Sequence, residues 1–186
     1  MLTLASLYFV VTGIQFWISD YMRIVLKIDS NTVFTSFSII SITAPTSGVL
    51  YGGIVLHKCG GYTGKNVLNI CMLNGILASI CAVPIPFIND FELVIFLLWF
   101  LLFFGGALMP AVMGLMISSV PKKLRAFANS TASLFHNLLG YLPAPFVYGV
   151  VNELDGRKES RKGMIVLMCW SLWGVVGLYL VRIYRA

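Results

Sequence analysis

The chain has 186 residues, 59% hydrophobic and only 11% charged, with a mean hydropathy of +0.90 and 13 Lys and Arg against 7 Asp and Glu, a formal net charge of +6. Soluble domains carry about 25% charged residues, so this composition excludes a soluble globular domain and predicts an integral, multi-pass membrane protein. The four cysteines, Cys59, Cys71, Cys81 and Cys169, form no C-x-x-C pair and three lie inside apolar runs, so no disulfide framework, metal site or cofactor is expected.

Met1 leads straight into an apolar run, with no basic segment before it and no A-x-A site after it, so a removable signal peptide is not expected. Six stretches reach the roughly 20 residues that cross a hydrocarbon core: residues 4–26, 33–56, 67–88, 93–120, 126–151 and 164–184. The connections, "KIDSNT", a glycine-rich loop, "NDFE", "PKKLR" and "NELDGRKESRKG", are polar and short. Neighbouring spans are therefore antiparallel hairpins of one bundle filling residues 1–186, with no soluble domain.

In the first span Thr12, Gln15, Ser19 and Arg23 recur at helical steps and share a face, with Asp20 three residues before Arg23. Ionisable residues within a span usually face a bundle interior or a watery cavity. Asp20 and Arg23 sit near the exit end, so they are either cavity residues or an interfacial ion pair with snorkelling access to water. Gln15 lies deeper and is the better cavity residue.

The second span carries Ala44, Gly48 and Gly52 at intervals of four, a small-residue seam for close packing, together with Pro45. It ends in "GGIVLHKCGGYTGK". Gly60, Gly64 and Lys65 imitate a phosphate-binding loop, but one residue is missing between the glycines, Asn66 replaces the Ser or Thr, and no βα unit surrounds them, so that reading fails.

The fourth span contains Pro110. The fifth repeats Asn129, Ser133, Asn137 and Tyr141 every four residues, with His136 beside them near mid-span and Pro143 and Pro145 beyond. His136 is either a proton carrier or substrate donor, or a helix-to-helix hydrogen bond worth around 1 kcal/mol. The sixth span has Ser171 as almost its only strongly polar mid-span residue, and its aromatic residues suit lipid contact.

An even number of spans puts both termini, the second loop and the fourth loop at one end. That end holds Lys58, Lys65, Lys122, Lys123, Arg125, Arg182 and Arg185, and the opposite end holds Lys27, Arg157, Lys158, Arg161 and Lys162. The excess of Lys and Arg predicts that the termini face the cytoplasm or its equivalent. The second and fifth spans also echo each other, with Ala44-Pro45 then Tyr51-Gly52 in one and Ala144-Pro145 then Tyr148-Gly149 in the other. Such matches arise by chance in membrane helices; if this one is a repeat, two three-helix units of opposite topology result.

Gly53-Ile-Val-Leu-His57-Lys58-Cys-Gly60 resembles the loop motif G-x-L-A-D-R-x-G-R-R of the major facilitator superfamily, with Gly53, Lys58 and Gly60 on the motif's glycines and basic residue. His57 stands where the family has Asp, and Gly61 and Tyr62 replace the trailing basics. A second stretch, Pro121, Arg125, Ala126, Gly140, Pro143, Pro145 and Gly149, is similar to the Pro-x-x-x-Arg loop and eleventh helix of Spinster-like and organic-anion-transporter-like members. "VTGIQFW" at residues 11–17 resembles the seventh helix of Spinster-like proteins. The resemblance implies an all-α membrane protein whose six transmembrane helices form a 3+3 inverted repeat, the carboxy-terminal bundle of a major facilitator fold. Gly53, His57, Lys58, Gly60 and Arg125 then belong to cytoplasmic gating loops, where Lys58 and Arg125 meet helix C-terminal carbonyls or anionic lipid, or serve as topological anchors.

The function this implies is secondary transport of a small amphipathic or lipid-like solute by alternating access, with Gln15, Asp20, Arg23, His136, Asn137 and Tyr141 as substrate or proton-pathway residues. The alternative is an accessory or structural membrane subunit derived from a transporter half. An intramembrane enzyme or haem protein is not expected, because there is no G-x-S-x-G or H-E-x-x-H, and His57 and His136 are poorly placed as an axial pair. The expected partners are the lipid bilayer, the solute, and a cover for the polar stripes: a missing amino-terminal half, a second copy, or another membrane subunit. No nucleic acid is among them.

Overall fold

In hydrocarbon every backbone N–H and C=O must find its partner within the segment or a closed sheet, so long apolar runs fold as helices. The computed structural model describes residues 1–61, 66–156 and 160–185; Tyr62, Gly64, Lys65, Arg157, Lys158, Glu159 and the side chain of Arg185 lie outside the described residues. Six helices are long and apolar enough to cross a membrane. Among the described residues there is no strand.

Spans one and two are the continuous helices α1 (Leu2–Ile24) and α2 (Ser30–Lys58). The third is α3 (Val67–Ala82) with a 3₁₀ turn at Ile85–Phe87, and the fourth is α4 (Phe91–Ser118). The fifth runs from a 3₁₀ turn at Lys122–Leu124 through α5 (Arg125–His136), a π turn at Asn137–Tyr141 and α6 (Pro143–Asp155). The sixth is α7 (Lys162–Cys169) and α8 (Ser171–Arg185). All six predicted spans are present, and each matches its predicted range to within a few residues.

Local chemistry sets the ends. Asp29 caps α2 by accepting from the backbone N–H of Asn31 at 2.9 Å, and Asp90 caps α4 by accepting from that of Glu92 at 3.0 Å. At the other end of α2, Gly60 and Gly61 turn the chain with φ of +89° and +71°, a region closed to most side chains. Gly60 and Gly61, where the apolar sequence is interrupted, are thus a helix stop.

The first span is the centre of the bundle: 56% of its apolar window is buried, against 22% for the fifth. It packs along α6 and the π turn on one side and α8 on the other, while α2 and α3 both pack against α4. On the α2–α4 seam, a Cβ placed on Gly106 would lie 2.8 Å from the Pro45 carbonyl oxygen, and one on Gly52 would lie 2.8 Å from the Ala107 Cα. The seam predicted from Ala44, Gly48 and Gly52 is therefore real backbone contact, the geometry that small residues permit.

Each end of the bundle is knit separately. Leu4, Leu56, Val67, Leu68, Cys71, Leu115 and Leu178 bring the start of α1, the end of α2, the start of α3 and the end of α4 into one apolar cluster with α8. At the opposite end the Tyr21 hydroxyl donates to the Pro86 carbonyl at 3.3 Å, and Arg161 Nη1 donates to the same oxygen at 3.1 Å while its other terminal nitrogen reaches Asn89. The first, third and fifth connections thus share one end, as hairpin topology requires.

Candidate functional site

The face built by α1 and the fifth span carries most of the polar residues singled out in the sequence. Its register is set by parallel packing: Gly140 sits against the Ala5 backbone and Tyr8, the His136 ring stacks on Tyr8 with centroids 4.1 Å apart and planes 6° apart, and Trp17 stacks on Tyr148 at 4.8 Å. The Trp17 indole N–H donates to the Pro145 carbonyl at 3.1 Å. Gln15 lies between these two levels.

Gln15, Asn137 and Tyr141 are exposed on the bundle surface and make no side-chain hydrogen bond among the described residues. Asn129 and Ser130 continue that exposed polar arc toward the start of α5. His136 behaves differently. It is 4% exposed, and its Nδ1 has no hydrogen-bond partner among the described residues. The contact that holds the ring among the described residues is its stack on Tyr8. The chain then passes into the π turn, whose wider ring is common at functional positions in helices. Here Leu142 N–H reaches back five residues to the Asn137 carbonyl at 2.9 Å.

The α1 stripe divides. Thr12 is buried, Ser19 is half-buried, and Gln15 and Arg23 are exposed. Arg23 and Asp20 form an ion pair at 3.5 Å with both side chains more than two-fifths exposed, and Arg23 also lies over the Phe34 ring at 5.8 Å. This places the pair at the rim of the bundle, apart from the level of His136. Such exposed pairs contribute little to stability.

The loop residues also separate. His57 and Lys58 are exposed in the last turn of α2, and Gly60 makes the turn. Gly53 is not a close-approach glycine: a Cβ there would meet nothing within 4 Å, whereas its neighbour Gly52 is pressed on α4. Arg125 Nε donates to the Val120 carbonyl at 3.3 Å, bridging the end of α4 to the start of α5.

An interior cavity of about 40 Å³ lies elsewhere, among spans one, three, four and six, lined by Thr3, Ser6, Ser79, Gly105, Ser171 and apolar neighbours. The Ser6 hydroxyl donates to the Trp170 carbonyl at 2.7 Å, while the Ser79 hydroxyl has no partner among the described residues. Ser171, the polar residue noted in the sixth span, lines this cavity, and none of the transport-pathway or gating-loop candidates does.

Sequence reasoning missed Tyr8, Trp17 and Arg161. Tyr8 was within reach, since Tyr8, Thr12, Gln15 and Ser19 continue one helical period by a further turn. Trp17 and Arg161 act across distant parts of the chain, and nothing local marks them. Comparison with family models, with curated proteins and with solved structures returns no match.

Proposed function

We propose that this bundle is one half of a secondary transporter of major facilitator type, moving a small amphipathic or lipid-like solute by alternating access at the face built from α1 and the fifth span. The observation that carries the reading is the fifth span itself. Its mean hydropathy of 1.2 is the lowest of the six, yet only 22% of its window is buried, also the lowest. A helix so little covered would be apolar if lipid surrounded it, because each unpaired polar group in hydrocarbon costs roughly several kcal/mol. Gln15, Asn129, Asn137 and Tyr141 therefore face a watery cleft or a second bundle, carried on the same polypeptide or on another chain.

The packing pattern supports the inverted repeat. Exchanging span one with four, two with five and three with six maps the α2–α4 seam onto the contact between the fifth span and α1. The same exchange maps α3 on α4 onto α8 on α1. The sequence echo falls on matching places. Ala44 and Ala144 are both fully buried, Tyr51 packs on Phe103 of α4, and Tyr148 packs on Trp17 of α1. His136, buried beside the exposed arc, is the proton-pathway residue of this reading; no enzymatic role is proposed.

One observation favours the accessory-subunit reading: the cavity among spans one, three, four and six is small and almost wholly apolar, so it offers no polar path. The test uses single cysteines at Gln15 and Asn137 on a background with the four native cysteines replaced by alanine, labelled in membranes with an impermeant thiol reagent. A transport cleft gives labelling that solute slows, together with uptake in reconstituted vesicles. Labelling indifferent to every solute tried, without uptake by the assembled protein, supports the accessory role, and no labelling from either side removes the watery cleft.

A further inference from the structure

The end of α4 and the start of α5 diverge around an open groove of about 430 Å³, lined by Pro110, Met113, Gly114, Ile117, Ser118 and Arg125. Pockets for small molecules commonly span about 300–1,000 Å³. Eight residues separate Pro110 from Ser118 on α4, a rise of about 12 Å at 1.5 Å each. The groove therefore begins at the level of Arg125, the first residue of α5, and descends that far along the apolar part of the span. Met113 and Ile117 make its walls apolar, and Gly114, having no side chain, leaves it concave.

Among the described residues, Arg125 is the only ionisable one that lines it. Nε is engaged by Val120, and no carboxylate pairs with the guanidinium among the described residues, so the terminal nitrogens keep their donors. Lys122 and Lys123 are exposed in the turn that delivers Arg125. Every described carboxylate belongs to the opposite end of the bundle, from Asp20 and Asp29 through Asp90 and Glu92 to Glu153 and Asp155.

A fixed planar cation at interface depth, with an apolar trough running inward from it, complements a molecule with an anionic headgroup joined to an acyl chain. A guanidinium binds phosphate oxygens in a bidentate fork, and an ammonium in its place still supplies a point charge to them. We propose that this groove binds an anionic phospholipid of the surrounding bilayer, its phosphate on Arg125 and one acyl chain lying past Gly114 toward Pro110. The proposal requires only that the chain spans a membrane and is independent of the transport reading.

The test reconstitutes the full chain in nanodiscs of phosphatidylcholine doped with phosphatidylglycerol, then identifies lipid retained on the protein by native mass spectrometry. Wild type is expected to retain phosphatidylglycerol in preference. Arg125→Gln should lower that preference about fivefold, the equivalent of the ~1 kcal/mol that one cation near an anionic surface provides. Arg125→Lys should keep most of it, Gly114→Phe should reduce retention of both lipids, and Lys122→Gln with Lys123→Gln should change the preference less than twofold. The proposal is overturned if Arg125→Gln retains the wild-type preference, or if the double lysine variant loses as much, which would make the effect diffuse surface charge. It is also overturned if Arg125→Lys is as damaging as Arg125→Gln, which would assign the effect to the clamp on Val120. Disulfide-linked dimers through Gly114→Cys with no lipid retained would give the groove to a second copy of the chain instead.

Discussion

Gly52 and Gly53 are chain neighbours in the same helix turn, and the structure gives them opposite surroundings. A Cβ at Gly52 would lie 2.8 Å from the Ala107 Cα and 3.0 Å from its carbonyl carbon, while one at Gly53 would meet nothing within 4 Å. Carbon atoms pack best at about 3.5–4.0 Å, so Gly52→Ala has to push α2 off α4 by roughly 1 Å. Overpacking costs about 1–3 kcal/mol, and the upper part of that range applies because backbone cannot rotate out of the way. The better helix propensity of Ala returns about 1 kcal/mol. The net expectation is a loss of about 2 kcal/mol for Gly52→Ala and a gain of up to ~1 kcal/mol for Gly53→Ala.

At about 2–4 °C per kcal/mol for a chain of this size, Gly52→Ala should lower the melting temperature by roughly 4–8 °C and Gly53→Ala should raise it slightly. Thermal unfolding of the purified protein in detergent, followed by tryptophan fluorescence and by retention of the monodisperse peak, reads both. Equal shifts for the two variants, or a stabilised Gly52→Ala, would refute the seam. Gly53 points away from the bundle, so under the proposed function its larger variants, such as Gly53→Leu, should impair uptake by the assembly while leaving bundle stability close to wild type.

Three further outcomes are expected. In an assembled transporter His136→Ala should lower uptake, or shift its pH dependence, more than Ser171→Ala, whose hydroxyl only returns to the Met168 carbonyl at 2.7 Å; matching uptake and pH profiles at equal membrane abundance would leave His136 a packing residue stacked on Tyr8. Trp17→Phe keeps a ring against Tyr148 but removes the donor to Pro145, and should cost about 1 kcal/mol, the scale of interhelical hydrogen bonds in membranes, measurable as a melting shift that Trp173→Phe on the exposed surface does not share. Tags at the two termini should report the same side of the membrane while a cysteine at Glu159 labels from the other; three signals from one side would exclude six spans.

The span boundaries, the helix stop at Gly60 and Gly61 and the small-residue seam of α2 were legible because each depends on residues a few positions apart. Apolar length fixes a span, and a glycine-rich stretch ends it. Which face of each helix turns inward was not legible. In lipid both the interior and the surroundings are apolar, so hydrophobic periodicity loses the contrast that orients a helix in water. For that reason Thr12 and Gln15, one helical turn apart, could be read as one stripe although packing buries the first and exposes the second. The His136 ring on Tyr8, the Trp17 bond to Pro145 and the Arg161 contacts with Pro86 and Asn89 join residues 128, 75 or 72 positions apart. No local pattern encodes such pairings. The sequence by itself determined how many spans there are and, to within a few residues, where each starts and stops, because those are properties of short segments; only the tertiary structure decided which polar groups are enclosed and which are left facing outward, because that depends on which helices meet.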